Sequence, residues 1–469
     1  MANDEEPVHA TVDDRAGTPS TDAERVAVAC LRAGIETALP KTVVSDAVSL
    51  DGSALHVGGS PYDLDGFDRI VVVGGGKAAD GAASALESIL GDRIDTGVIV
   101  VDEPGNSASE GDAGGSRIER VVGGHPVPTS EGVDGTDRAV ELVRSADGNT
   151  LVVTLITGGA SALFAAPVTS VGLSAVRETT DALLSAGADI DEINAVRKHL
   201  SRVKGGQLAA AAEPATVVGL VVSDVVGDDP SVIGSGPTAP DGSTYADALD
   251  VLDRYRIDAP PAVRDYLRRG ADGREAETPT AEATVFDRVE THVLANATTA
   301  LDAAASAVAE RGYDPLVLSS RIRGEARAAG VTHAAIAEEI ADSGAPIEPP
   351  AVVLSGGETT VTVEGDGTGG PNLECALAAG IEFATPDSPV ADRPVAFLAA
   401  DTDGRDGSTD AAGALVTPKT IADGADATAA RAALDDNDSL PALCERNALI
   451  RTGATGTNVN DLRVLVVGE

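Results

Sequence analysis

Lysine is nearly missing from this sequence. Its 469 residues include five, at Lys41, Lys77, Lys198, Lys204 and Lys419, against 29 arginines and 75 acidic residues, for a formal net charge of -41. A surface so negative repels nucleic acid and anionic membranes, which argues against both as partners. Tryptophan is absent and aromatic residues make up 2% of the chain, so Ala, Val and Gly must build the interior. Cys30, Cys375 and Cys444 lie far apart with no CxxC spacing, which argues against a disulfide framework or a zinc site. No run approaches the roughly 18 apolar residues of a membrane span. The opening stretch, MANDEEPVHATVDDRAGTPSTDAE, is acidic and polar, unlike a secretory signal. These absences predict a soluble, cytoplasmic protein with an acidic, disordered lead-in over 1–21 that ends at a helix cap, Ser20 or Thr21. Self-repulsion on this scale is screened at molar salt, where the Debye length falls to about 3 Å, and the pattern reads as halophilic.

What is present is a succession of apolar, strand-length runs separated by Ala-rich helical stretches. RIVVVGGG, TGVIVVDEPG, TLVVTLITGG, ATVVGLVVSD, PAVVLSGGE, VAFLAADTDG and LRVLVVGE each end in Gly, Ser, Asp or Glu. Such runs alternating with helices predict an α/β fold with parallel strands covered on both faces. The length implies two domains. The Pro-, Gly- and charge-rich stretch 258–288 reads as their junction. It separates an N-terminal Rossmann-like domain over 22–260 from a smaller, mixed-sheet C-terminal domain over 285–469.

Ligands in open α/β sheets bind beyond the carboxyl ends of the strands. There, Gly74-Gly75-Gly76-Lys77-Ala78-Ala79 fits a GxGxxA pattern, and the next strand ends at Val101 before Asp102 and Glu103. That is the outline of a dinucleotide-binding unit; Walker A spacing is absent. A lysine at a helix start is mildly unfavourable unless an anion lies between, and phosphate is the candidate. Lys198 and Lys204, in NAVRKHLSRVKGG, are retained where lysine is otherwise scarce. LITGGASALFAAP offers the backbone donors of Gly158 and Gly159, with Ser161 as ligand or simple helix cap. Ser223-Asp224 ends a strand, and its carboxylate suits Mg²⁺ or merely faces solvent. Asp401, Asp403, Asp406 and Asp410 admit the same two readings. His125 and His199 read as structural hydrogen-bonding residues, and no serine elbow or His-anchored triad is present.

Together these stretches resemble the glycerate 2-kinase family whose C-terminal half is the MOFRL domain, in a haloarchaeal-type form. The resemblance runs from about residue 22 to 463. It rests on VVGGGKAADGAA, GGHPVPTSEG, TLITGGASALFAAP, INAVRKHLSRVKGGQLA, SDVVGDDPSVIGSGPTAPD, RGEARAAG, LSGGETTVTV, AADTDGRDGSTDAAGA and GATGTNVNDL. It implies phosphorylation of D-glycerate at its 2-hydroxyl by ATP with Mg²⁺, in a cleft between two α/β domains. Lys77 matches the family's GGGKA lysine. The family's GGRNQE arginine is replaced: the stretch reads Gly369-Gly370-Pro371-Asn372-Leu373-Glu374, and proline has no side-chain donor. Arg197, Arg327 or Arg405 would have to supply that charge, or activity or substrate is altered.

On this reading Lys77 neutralises transferring phosphoryl or carboxylate charge, and the amides of Gly74, Gly75, Gly76, Gly158 and Gly159 cradle oxygens. Ser161, Ser223 and Asn372 join the binding set, Arg197 and Lys198 add positive field, Asp224 holds the metal and Glu374 orients the hydroxyl as base. The partners are small molecules, glycerate and ATP, and whether the chain is a homo-oligomer is not written in these residues. Two alternatives stay open: an NAD(P)H-dependent hydroxypyruvate reductase, and a non-catalytic binder of small phosphorylated acids.

Overall fold

A computed structural model describes residues 21–102, 116–385 and 387–469. Most of the expected lead-in, residues 1–20, lies outside the described residues, as does Glu103. The chain divides into two compact units. One is Pro40–Leu294; the other joins the stretch through Leu39 to Ala295–Glu469.

In the unit Pro40–Leu294, β1 (Val48–Asp51), β2 (Ala54–Val57) and β3 (Ser60–Asp63) form a small antiparallel sheet. The main sheet contains β4 (Arg69–Gly75), β5 (Thr96–Val101), β6 (Ile118–Val122), β7 (Thr150–Ile156), β8 (Thr216–Val222) and β9 (Val289–Ala295), in the order β6-β5-β4-β7-β8-β9. Pairing from β6 through β8 is parallel. Alternate residues feed two cores: Ile70, Val72, Leu151 and Val153 pack on one face, Val71, Val73, Val152 and Ile156 on the other. The helix after β4, Ala79–Leu90, covers the first face, and the short helix after β7, Ala160–Leu163, covers the second. The chain therefore leaves neighbouring strands β4 and β7 in opposite directions, opening a crevice at their carboxyl ends.

The other unit holds a mixed sheet. Its strands are β10 (Asp314–Ile322), β11 (Ala351–Gly357), β12 (Val395–Asp401), β13 (Gly413–Val416), β14 (Leu449–Ile450) and β15 (Asp461–Val467), ordered β10-β11-β15-β12-β13-β14. Only β10 and β11 pair in parallel; β15 lies antiparallel to both β11 and β12. The expected architecture, a Rossmann-like unit and a mixed-sheet unit, is the one observed.

The boundaries differ from the expected ones. The helix Asp22–Thr37, capped by Thr21 in a capping box with Glu24, belongs with the second unit. Its Val26, Cys30, Leu31 and Ile35 pack with Leu301, Leu462 and Val464, and Gly34 lets it approach the Ala300 carbonyl closely. The presumed junction at 258–288 contains a helix, Pro261–Ala271, whose Val263 and Leu267 are buried in the first unit. β9 then completes that unit's sheet, so the crossing falls at Leu294 and not near 285. An amphipathic pattern shows that a helix must bury a face, not which sheet receives it.

Candidate active site

The crevice between β4 and β7 is shaped by glycines. Gly74 faces Leu155 across the ladder at φ 148°, where a Cβ would run into the Leu155 carbonyl. Gly76, at φ 134°, leaves no room for a Cβ, which would lie 2.6 Å from the Thr157 carbonyl oxygen. Gly74 and Gly75 still belong to the strand ladder. The amides of this turn are already engaged. Gly76 N–H donates to Val100 O at 3.0 Å, Lys77 N–H to Gly158 O at 2.8 Å, and Ala78 N–H to Thr157 Oγ1 at 3.1 Å. The expectation that Gly74, Gly75 and Gly76 cradle phosphate through their amides is therefore corrected. Their task is close approach, which locks the β4 turn onto the β7 turn.

That lock fixes Lys77 beside the loop 157–161. A Cβ on Gly159, at φ 80°, would meet Lys77 Cγ at 3.3 Å and His125 Cδ2 at 3.0 Å, so the three converge. His125, read from sequence as structural, is exposed at this point. His199 keeps the structural reading: it is fully buried, with Nδ1 2.7 Å from Ala195 O and Nε2 3.1 Å from Glu277. Gly158 and Gly159, unlike the first glycines, make no backbone donation to another part of the turn.

Lys204, expected from the sequence only as a retained lysine and not as a site residue, meets the same loop at Ser161. Its Nζ donates to Ser161 O at 2.8 Å, Ser161 Oγ at 3.3 Å and Gly234 O at 3.4 Å, and among the described residues it meets no carboxylate. Burial, with the Arg197 charge adding to it, pulls its ammonium down to about 7. Arg197 is also drawn downward by burial, and Asp181, the one carboxylate acting on it, lies beyond ion-pair distance. Among the described residues neither is ion-paired to a carboxylate, and a desolvated Arg197 so placed favours an anion nearby. Ser161 Oγ is 2.8 Å from Ser235 Oγ, which donates to Asn194 Oδ1 at 3.0 Å.

Other expected residues have different tasks. Lys198 is buried and ion-paired to Asp241 at 3.1 Å, with Thr278 and Ser243 donating to the same carboxylate. Arg197 and Lys198 are adjacent on one helix, about 100° apart around its axis, so they serve different surroundings. Ser223 is buried, and its hydroxyl bonds Val225 N and O in its own turn, so it is not a ligand group. Asp224 is half-buried at the end of β8. No group of three or more His, Cys, Asp or Glu able to hold a metal occurs among the described residues.

In the second unit, Pro371 begins the helix Pro371–Phe383, where its missing N–H would have had no helical partner. The next two amides hold Asp406: Asn372 N to Oδ1 at 3.0 Å and Leu373 N to Oδ2 at 2.8 Å. Asn372 is buried and donates through Nδ2 to Asp461 at 2.7 Å and Asp406 at 3.2 Å. Asp461 in turn accepts from the fully buried Arg463 at 2.6 Å. Burial, helped by the Asp461 charge, pushes Asp406 up to about 7 despite the amides. Glu374 is 1% exposed and accepts from Asn437 Nδ2 at 2.8 Å and Arg327 at 3.4 Å. Its role as base and that of Asn372 as ligand are thus corrected: both lock the helix start. Arg327 is committed to this lock, and Arg405 is exposed with its backbone held by Asp403. Of the three cations proposed to replace the missing arginine, Arg197 has no competing ion pair.

Comparison with known proteins gives the family. The family described as "Domain of unknown function (DUF4147)" matches residues 26–268, and the MOFRL family matches 351–461. A D-glycerate 2-kinase of Thermotoga maritima is 40% identical over 403 residues, covering 84% of this chain and 90% of that protein. The chain belongs to the glycerate 2-kinase family. A family member from Agrobacterium vitis, described provisionally as a hydroxypyruvate reductase, is 40% identical over 408 residues, 85% of this chain and all of that protein. The crystal structure of the Thermotoga maritima glycerate kinase superposes with a TM-score of 0.78 at 37% identity, covering 94% of this chain and 99% of that one.

Proposed function

We propose that this chain transfers the γ-phosphoryl group of ATP to the 2-hydroxyl of D-glycerate, giving 2-phosphoglycerate and ADP. What supports this reading is the cations gathered at and near loop 157–161: Lys77 meets it at Gly159, Lys204 bonds it at Ser161, and the Arg197 charge acts on Lys204, while among the described residues no carboxylate is ion-paired to Arg197 or Lys204. Phosphoryl transfer needs positioning and charge neutralisation more than covalent work, and Lys77 and Arg197 are the cations that would supply the charge. The glycerate 2-kinase described for Thermotoga maritima supports the substrate.

Magnesium takes few protein carboxylates and keeps phosphate and water oxygens as ligands. A site that offers one protein carboxylate, Asp224 at the end of β8, would fit that demand, whereas a site built wholly from protein would not. The ion supplies charge neutralisation across the phosphates.

The reductase alternative rests on the GxGxxA turn and on the name given to the Agrobacterium protein. A dinucleotide pyrophosphate needs free amides at this helix start, and those of Gly76, Lys77 and Ala78 are occupied. ADP release from ATP and D-glycerate in molar KCl, with the product identified by ³¹P NMR, tests the kinase reading. NADH oxidation by hydroxypyruvate without ADP release would replace it, and ligand stabilisation with neither reaction would leave a binder.

A further inference from the structure

We propose that Ser161 Oγ receives the hydroxyl proton of the phosphoryl acceptor and that Lys204, directly behind it, is where that proton is stored. The inference deepens the kinase reading and rests on it.

Lys204 Nζ has three neighbours: Ser161 O, Gly234 O and Ser161 Oγ. As an ammonium it donates to all three. As a neutral amine it has one lone pair to satisfy, and the two carbonyls cannot donate. Ser161 Oγ–H is therefore the one group of the three able to bond a neutral Lys204. On the other side, Ser235 donates its hydroxyl to Asn194 Oδ1, so in the charged state Ser161 donates to Ser235. The serine can thus turn its hydrogen toward Ser235 or toward Lys204, and in either state it keeps a lone pair. Ser161 is half-buried and adjoins the Gly158-Gly159 turn, whereas Lys204 and Ser235 are buried. A hydroxyl entering the crevice meets Ser161, not the lysine.

The step balances. The substrate oxygen forms its bond to the γ-phosphorus, and the bond to the ADP oxygen breaks with its electron pair leaving on ADP. The substrate proton passes to Ser161 Oγ as the serine's own hydrogen passes to the neutral Lys204 amine. Lys204 is left as an ammonium, and returns its proton to solvent by the same route when product departs. The low affinity of Lys204 for a proton suits this, because the amine is available near neutral pH. The groups facing it are Arg197 from the helix Ile190–His199 and, beyond Gly205, the Lys198–Asp241 pair; Lys77 and His125 meet loop 157–161 at Gly159.

The scarcity of lysine makes the test direct. With ε-¹³C-lysine, five side-chain signals are expected, one titrating near pH 7 and absent from Lys204→Met. The wild-type kcat should fall on the acid side with the same midpoint. Ser161→Ala should lose on the order of 10²-fold in kcat and lose that acid limb, with little change in KM for ATP, and Ser161→Thr should restore both. The acid limb should persist in His125→Gln, which separates the histidine from the lysine. A Ser161→Ala enzyme with the wild-type pH profile, or five lysines that all titrate above pH 9, would overturn the relay. Absence of ADP release by the wild-type enzyme would instead overturn the kinase reading.

Discussion

At single residues, the proposed chemistry and the packing predict opposite effects. Lys77→Ala should lower kcat on the order of 10³-fold, the scale seen when a cation at a transferring phosphoryl is lost, while the thermal unfolding midpoint stays near that of the wild type. Glu374→Gln should do the reverse. Its carboxylate serves Asn437 and Arg327, so the amide should cost about 1–3 kcal/mol of stability in denaturant titrations and leave kcat within a few-fold of wild type. Lys204 has a pH signature of its own. Its folded-state value, about 7, lies below the ordinary 10.5, so between these values the unfolded chain binds more protons. Stability should therefore rise as pH climbs from 7 toward 10, and that component should be missing from Lys204→Met, measured by urea unfolding across the range. Asp406 has the opposite sense. With its value raised to about 7, the folded chain holds the extra proton, and its contribution declines as pH rises from about 4 to 7.

Among the elements, the β4 and β7 turns act as one piece. Gly76→Ala should destabilise the protein by about 3 kcal/mol, since the methyl meets Thr157 in a backbone region that favours glycine. A normal melting curve for that variant would contradict the lock. The strands themselves are legible in the sequence: each of the seven apolar runs is a strand, because residues buried on both faces leave an uninterrupted signal. The glycine turn is legible too, but its purpose is not, since occupied and free amides look alike in a string of letters. Lys77 is readable from its place after β4, whereas Lys204 acquires meaning only when residues 161, 197 and 234 are brought together. Glu374 and Asn372 mislead for the same reason. A polar residue at a helix start reads equally as ligand or as lock until its partners are known.

At the scale of the molecule, the net charge of -41 is a standing repulsion that counter-ions must relieve. The denaturation midpoint should climb between 0.1 M and 2 M KCl, and a flat response would mean that the acidic surface has another cause. Among the described residues no helix is long and apolar enough to cross a membrane. The order of elements has a different consequence. Asp22–Thr37 joins a sheet whose middle strand, β15, is the last of the fifteen to be made, and the whole Pro40–Leu294 unit is synthesised between the two. On the ribosome that first helix must wait with its apolar face unclaimed while some 250 residues emerge and fold ahead of it. A chain cut short before Asp461 would hold every strand of the Pro40–Leu294 unit and leave the other sheet without its β15 partner for β11 and β12.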